Sequence, residues 1–293
     1  MKNAMISAIV LVNLIVCCLY NCATAAPLTQ AWATDVNQLG PGPEAVVHDA
    51  IRDVLYVSHV NLNVPKDRDK QAMEEFISKV SIDGKVIKRD WIAGVNRPTG
   101  MVIYQDKLYV VERGALVVIN LKKATIEKRI RIEDTGFLND VTVDTKGVFY
   151  LTDSGRKAVV RIENDKAQLW LAGDKIAKPN GILCDGDKLV IGVNSDNCLK
   201  SIDLQTQEIK TIASLGAGGI DGILKYGEGY LVSHVAGNIY EVNLSGKVTE
   251  LLNTREMDLK IADFGFIPNQ QLIVAPIINK DILIGYTINP PAH

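Results

Sequence analysis

Four residues with hard oxygen donors stand at related places in the chain: Glu44, Asn139, Asn180 and Asp221, the last three spaced 41 residues apart. Two carboxylates and two amides suit Ca2+ first, or Mg2+, with water completing the shell; Mn2+ and Zn2+ are left open. Without His or Cys in the set, a structural zinc site has little support. Taken singly, each Asn or Asp reads equally well as a turn former ahead of a strand, a role that suits Glu44 poorly. Gathered without a cation, Glu44 and Asp221 would repel, and one would tend to hold a proton. A cation held there would polarise a carbonyl and stabilise an oxyanion. Asp221 is then a candidate proton acceptor for the attacking water. His59 and His234, in two identical Ser-His-Val triplets, are candidate proton shuttles or, alternatively, hydrogen-bonded wall residues.

The elements that must position these residues repeat. FLNDVTVDTKGVFYLTDS at 137–154 alternates apolar and polar positions around a Gly-containing turn, a hairpin signal. Related stretches fall at 43–60, 98–112, 179–195, 220–235 and, more weakly, 261–276. Aligning the residue before each first apolar run gives Glu44, Thr99, Asn139, Asn180, Asp221 and Ala262, spaced 55, 40, 41, 41 and 41 apart. A strand-only period near 40 predicts an all-β, six-bladed β-propeller with four antiparallel strands per blade. First strands line the channel of such a fold, so the aligned residues converge at one rim. The ends of the second strands return there, bringing His59, Glu112, Asp153, Asn194 and His234. Glu112 and Asp153 join Asn139 and Phe137 as candidate substrate contacts. Asp140 and Asp263, one residue further on, are expected to brace neighbouring strands.

The long first interval reflects a polar insertion at 61–76, read as a loop or short helix over one face. The sixth repeat has three strands of its own. A fourth is expected from residues 31–36, closing the ring and removing open edges.

Residues 1–25 have the layout of a secretory signal peptide: a polar start at Lys2 and Asn3, an apolar run at 6–20, and Ala23-Thr24-Ala25 before cleavage. A lipid-anchored form beginning at Cys22 is a weaker alternative. The expectation is an exported protein, periplasmic or secreted, with residues 26–293 as a single domain. Net charge is −2 and both signs are scattered, so no basic stripe favours nucleic acid or an anionic membrane. A small-molecule substrate, no membrane span in the mature chain and a monomer are the corresponding expectations. Cys184 and Cys198 could pair in an exported protein, but by the repeat they should sit in different strands as separate buried thiols.

On PEAVV with Glu44, LNDVTVDTKGVFYLTDS with Asn139, PNGIL with Asn180 and IDGIL with Asp221, the chain resembles the senescence marker protein/gluconolactonase (regucalcin-like) family of six-bladed propellers. More distantly it resembles diisopropylfluorophosphatase and the paraoxonases. The resemblance spans essentially the whole mature chain. It implies a divalent metal held by Glu44, Asn180 and Asp221, with Asn139 binding metal or substrate and Asp221 as base or nucleophile. The implied chemistry is hydrolysis of a lactone or related ester. Gluconolactonases often carry an Arg two residues before the position of Asn139; Phe137 stands there instead, which implies a more apolar pocket. The reading from a different class is a non-catalytic propeller, plugged by its metal, that binds a small ligand or protein partner. A third, a strictosidine synthase-like carbon–carbon forming enzyme, does not need the oxygen ring.

Overall fold

Short runs rich in Val, Ile, Leu and Tyr, cut by Gly and Asp turns, form strands that pair with their sequence neighbours. The computed structural model describes residues 27–61 and 75–289. Residues 1–26, which include the expected signal peptide, residues 62–74 of the expected insertion and residues 290–293 lie outside the described residues. Six antiparallel sheets of four strands each make a six-bladed β-propeller. The first strands are Pro43–Asp49, Met101–Tyr104, Leu138–Val143, Pro179–Asp185, Ile220–Tyr226 and Gly265–Ile267, in blades one to six. The second strands are Val54–His59, Lys107–Glu112, Phe149–Asp153, Lys188–Val193, Gly229–His234 and Leu272–Ile277.

Each blade is covered on both faces, and the two-residue period of a strand explains how. In Val54–His59, Val54 and Tyr56 enter the apolar cluster shared with blade two, while Leu55 and Val57 enter the one shared with blade six. Six such clusters occur among the described residues, one between each pair of adjacent blades. Inner strands are therefore nearly all apolar, whereas an outermost strand such as Thr125–Arg131 is largely exposed. At the axis, the first strands also join across blades. Asp263 N donates to Glu44 O (3.0 Å) and Val46 N to Asp263 O (3.0 Å), while Gly100 N donates to Asn139 O (2.9 Å).

Ring closure occurs through the N-terminal strand, but at Leu28–Ala33 rather than 31–36. This strand pairs antiparallel with Ile282–Ile288 as the outermost strand of blade six. Val36 leaves the sheet because the Asp35 side chain accepts from Asn37 N and caps a short helix, Val36–Leu39. That helix buries Leu39 instead. Phe76, expected in the insertion, begins a buried third strand, Phe76–Ser81. Cys184 and Cys198 are free and lie in different strands as expected, but both are half-buried rather than buried. No helix among the described residues is long and apolar enough to cross a membrane.

Removing Leu28–Ala33 should expose the edge at Ile282–Ile288 and lower the melting temperature by ~10 °C or more, each kcal/mol being worth roughly 2–4 °C at this size. Thermal melting followed by circular dichroism checks this; an unchanged melt would show that closure by this strand contributes no stability.

Candidate functional site

The aligned oxygen-bearing residues sit at irregularities in the sheets. Pairing of the first and second strands slips between Pro43 and Ala45, Leu138 and Val141, Pro179 and Ile182, and Ile220 and Ile223. Glu44, Asn139, Asn180 and Asp221 all lie within these slips, where an extra residue re-aims a side chain and leaves backbone amides without a ladder partner. Three of those amides are taken by hydroxyls on the second strands. Ala45 N donates to Ser58 Oγ (3.0 Å), Asp140 N to Thr152 Oγ1 (3.0 Å) and Gly222 N to Ser233 Oγ (2.8 Å). Ser233 Oγ in turn donates to Ala262 O (2.9 Å), tying blade five to blade six. In blade two Val111 is opposed by two residues, Thr99 N donating to Val111 O and Val111 N to Gly100 O (3.0 Å each).

Glu44, Asn139, Asn180 and Asp221 are each less than a tenth exposed. Burial first, then the charges of Asp221 and Asp140, push the Glu44 carboxyl well above its usual range, with Arg97 opposing. Burial pushes Asp221 up to about 7, against a hydrogen bond from Asn180. Glu44, Asn180 and Asp221 thus form one electrostatic unit. Asn139 is tied to it through Ser154, whose hydroxyl accepts from Asn139 Nδ2 (3.4 Å) and donates to Pro179 O.

Behind this ring lie Asp140 and Asp263. Asp140 braces blades three and four, accepting from Val141 N (2.7 Å) and Ile182 N (2.8 Å). Burial raises it to about 7. Asp263 is raised well above its usual range, by burial first and then by Asp140, Asp221 and Glu44. Neighbouring blades must be bare of side chains to admit both. A Cβ on Gly100 would lie 2.1 Å from Asp140 Oδ1, and one on Gly222 2.3 Å from Asp263 Oδ1.

The donor set fits a hard divalent cation on one further observation. Glu44 Oε2 and Asn180 Oδ1 are buried with no hydrogen-bond partner, as is Thr99 Oγ1. An unpartnered buried oxygen is costly, and a cation would satisfy it. With Asn180 Nδ2 turned to Asp221, its carbonyl oxygen is the atom left for a ligand. Among the described residues no three His, Cys, Asp or Glu side chains form a metal-holding group, and half of this ring is amide.

Most of the second-strand ends are struts in this arrangement; His234 differs, its Nε2 being buried with no hydrogen-bond partner. His59 is fully buried, with Nδ1 2.9 Å from Pro41 O and Nε2 2.8 Å from Ser78 Oγ, and its ring stacks on Phe76. Desolvation lowers its pKa to about 4. His234 is also lowered to about 4, by burial and then Arg255, and lies edge-on to Tyr240. Glu112 accepts from Asn96 N (3.0 Å) and Arg129 Nε (2.7 Å). Asp153 accepts from the amides of Gly136, Phe137, Gly155 and Arg156 at 2.8–3.1 Å. Asn194 exchanges two hydrogen bonds with Ile220. Strand parity contributes: Ser58, Thr152 and Ser233, one residue earlier, turn to the first-strand amides, so His59, Asp153 and His234 face the other way.

Sequence reasoning missed Arg97. Its guanidinium lies 4.3 Å from the Phe137 ring centroid and its charge acts on Glu44. Both residues line a cavity of about 300 Å3 with Arg113, Gly114, Thr135, Gly136 and Leu138. The signal was available: Arg97 precedes Thr99 by two residues, as Phe137 precedes Asn139. The cation sought in blade three stands in blade two and stacks on the residue that replaces it.

No protein-family model matches the chain, and no curated protein sequence matches it. Solved structures do. A protein carrying the provisional name gluconolactonase has a TM-score of 0.69 at 15% identity, covering 90% of this chain and 94% of that one. A streptogramin B lyase has a TM-score of 0.66 at 10% identity, covering 89% and 98%. A catalytically inactive virginiamycin B lyase from Staphylococcus aureus, solved with quinupristin, has a TM-score of 0.61 at 14% identity, covering 89% and 99%. At these identities the likeness is one of fold.

The raised carboxyls set a pH dependence. Asp140 and Asp221 titrate near 7 in the folded chain against 3.8 ordinarily, so the folded state binds more protons between those values. Their contribution to stability is full below about 3.8 and is lost as pH rises through about 7. Chelator-treated protein should therefore melt lower at pH 8 than at pH 5, and added Ca2+ should raise the melting temperature more at pH 8. Equal calcium shifts at both pH values would contradict the coupling.

Proposed function

We propose that the protein is an exported, divalent-metal-dependent hydrolase that opens a lactone or related ester at the channel rim carrying Glu44, Asn139, Asn180 and Asp221. The observation that carries this reading is the pair of buried, unpartnered oxygens, Glu44 Oε2 and Asn180 Oδ1, beside the buried carboxylate Asp221. Calcium is the favoured cation, since exported calcium modules work with affinities of about 10⁻⁴–10⁻³ M. When bound, the cation supplies Lewis-acid polarisation of the substrate carbonyl.

The chain's own groups do the rest. Asp221, held by the hydrogen bond from Asn180, would accept a proton from the attacking water. Asn180 orients it. Asn139, held through Ser154, presents its amide beside the substrate. Phe137, backed by Arg97, gives the substrate a flat apolar surface. His59, bonded at both ring nitrogens, holds the backbone leading into its blade. The provisional name of one solved neighbour, gluconolactonase, agrees with a lactone as substrate class.

A panel of aliphatic and sugar lactones, assayed with and without chelator, tests this. Turnover should be chelator-sensitive, and Asp221→Ala or Glu44→Gln should lower kcat/KM by more than ~100-fold, since even outer-shell partners of a metal cost about 10–100-fold. Full turnover in Asp221→Ala would overturn the mechanism. Tight cation binding with no turnover of any lactone would assign the non-catalytic, metal-plugged reading.

A further inference from the structure

The cavity beside the ring has a charge imbalance that hydrolysis of a neutral lactone does not use. Two guanidiniums, Arg97 and Arg113, are among its lining residues and no carboxylate is. Of the nearby acids, Glu112 is committed to Arg129 and Asn96 and Asp153 to four backbone amides, while Glu133 lines the adjoining cavity on the other side of Arg113. Arg156, at the same rim, is anchored on Asp134 O. The Arg113 guanidinium makes no hydrogen bond or ion pair among the described residues, although its backbone is fixed by Arg113 N donating to Asn96 O (3.0 Å). The turn that presents it depends on Gly114, at φ +72°, a left-handed conformation that favours glycine. An arginine with a fixed backbone and an uncommitted fork, over a cavity walled by a stacked Arg97–Phe137 pair, suits bidentate capture of a planar anion.

We propose that Arg113 is a specificity-determining residue and that the substrate carries a carboxylate, seated on Arg113, with its ring against Phe137. This rests on the lactonase reading for the reacting end of the molecule, but not for the anion subsite. The stacked Arg97 keeps Phe137 in place and adds positive potential between the carboxylate and the anionic ring at Glu44 and Asp221. A carboxylate is the planar anion whose two oxygens one free fork matches with two parallel hydrogen bonds.

The test compares γ-butyrolactone, its ring-carboxylated counterpart and the methyl ester of that acid, using calcium-loaded wild type and Arg113→Gln. Wild type should prefer the acid to its methyl ester by about ten-fold or more in kcat/KM, the scale of hydrogen bonds to a charged group. Arg113→Gln should abolish that preference through KM, leaving turnover of γ-butyrolactone and the melting temperature unchanged. Equal preference in both proteins, or a wild-type preference for the methyl ester, overturns the proposal. Calorimetric binding of cyclopentanecarboxylate and of inorganic phosphate decides the subsite without turnover. Arg113-dependent binding of the carboxylate supports it even if no lactone is opened, the result that would sink the hydrolase reading alone. Phosphate binding tighter than the carboxylate, or carboxylate binding indifferent to Arg113→Gln, overturns it.

Discussion

Glu44, Asp140 and Asp221 are buried together, with Asp263 half-buried beside them, and like charges held so close cannot all ionise without compensation. Such an arrangement exists only if the surrounding fold enforces it. The sheet irregularities swing Glu44, Asn139, Asn180 and Asp221 out of their ladders, and the hydroxyls of Ser58, Thr152 and Ser233 take the amides left behind. Gly100 and Gly222 leave room where Asp140 and Asp263 cross between blades. The ring is therefore a built feature, set by local backbone chemistry in four separate blades.

What resists the repulsion is distributed around the circumference. Six apolar clusters, one per blade interface, join each sheet to both neighbours, and the N-terminal strand locks the last blade to the chain end. Burial of apolar area stabilises at roughly 25 cal/mol per Å2, without regard to direction. The clusters can therefore press the blades inward while the axis carries unfavourable charge. The separation of roles also explains the second-strand ends. His59, Glu112, Asp153, Asn194 and His234 all tie down backbone that leads into a first strand, keeping the rim in register.

Much of this was legible in the sequence, for a physical reason. A strand-only period near 40 has few solutions, and the spacing of Asn139, Asn180 and Asp221 follows directly from it. Glu44 was found despite the insertion because its apolar run matches the others. The slips at these positions were not legible, since a bulge is set by pairing, and pairing is not written in one strand. At the second-strand ends it is Ser58 and Ser233, not His59 and His234, that face the freed first-strand amides. Arg97 escaped because a substrate-facing arginine was sought only beside Asn139, although the repeat makes the same position available in every blade. The N-terminal strand slid to Leu28–Ala33 because Asp35 caps a helix, a side-chain effect that outweighs the apolar pattern at Val36.

The central claim is that oxygens from blades one, four and five converge on one cation. Crystals of the protein grown with calcium and soaked in manganese, measured for anomalous scattering, test it most directly. The account predicts a single strong axial peak within coordination distance of Glu44, Asn180 and Asp221 oxygens. A peak elsewhere with that ring left vacant, or no axial peak at saturating metal, would contradict it.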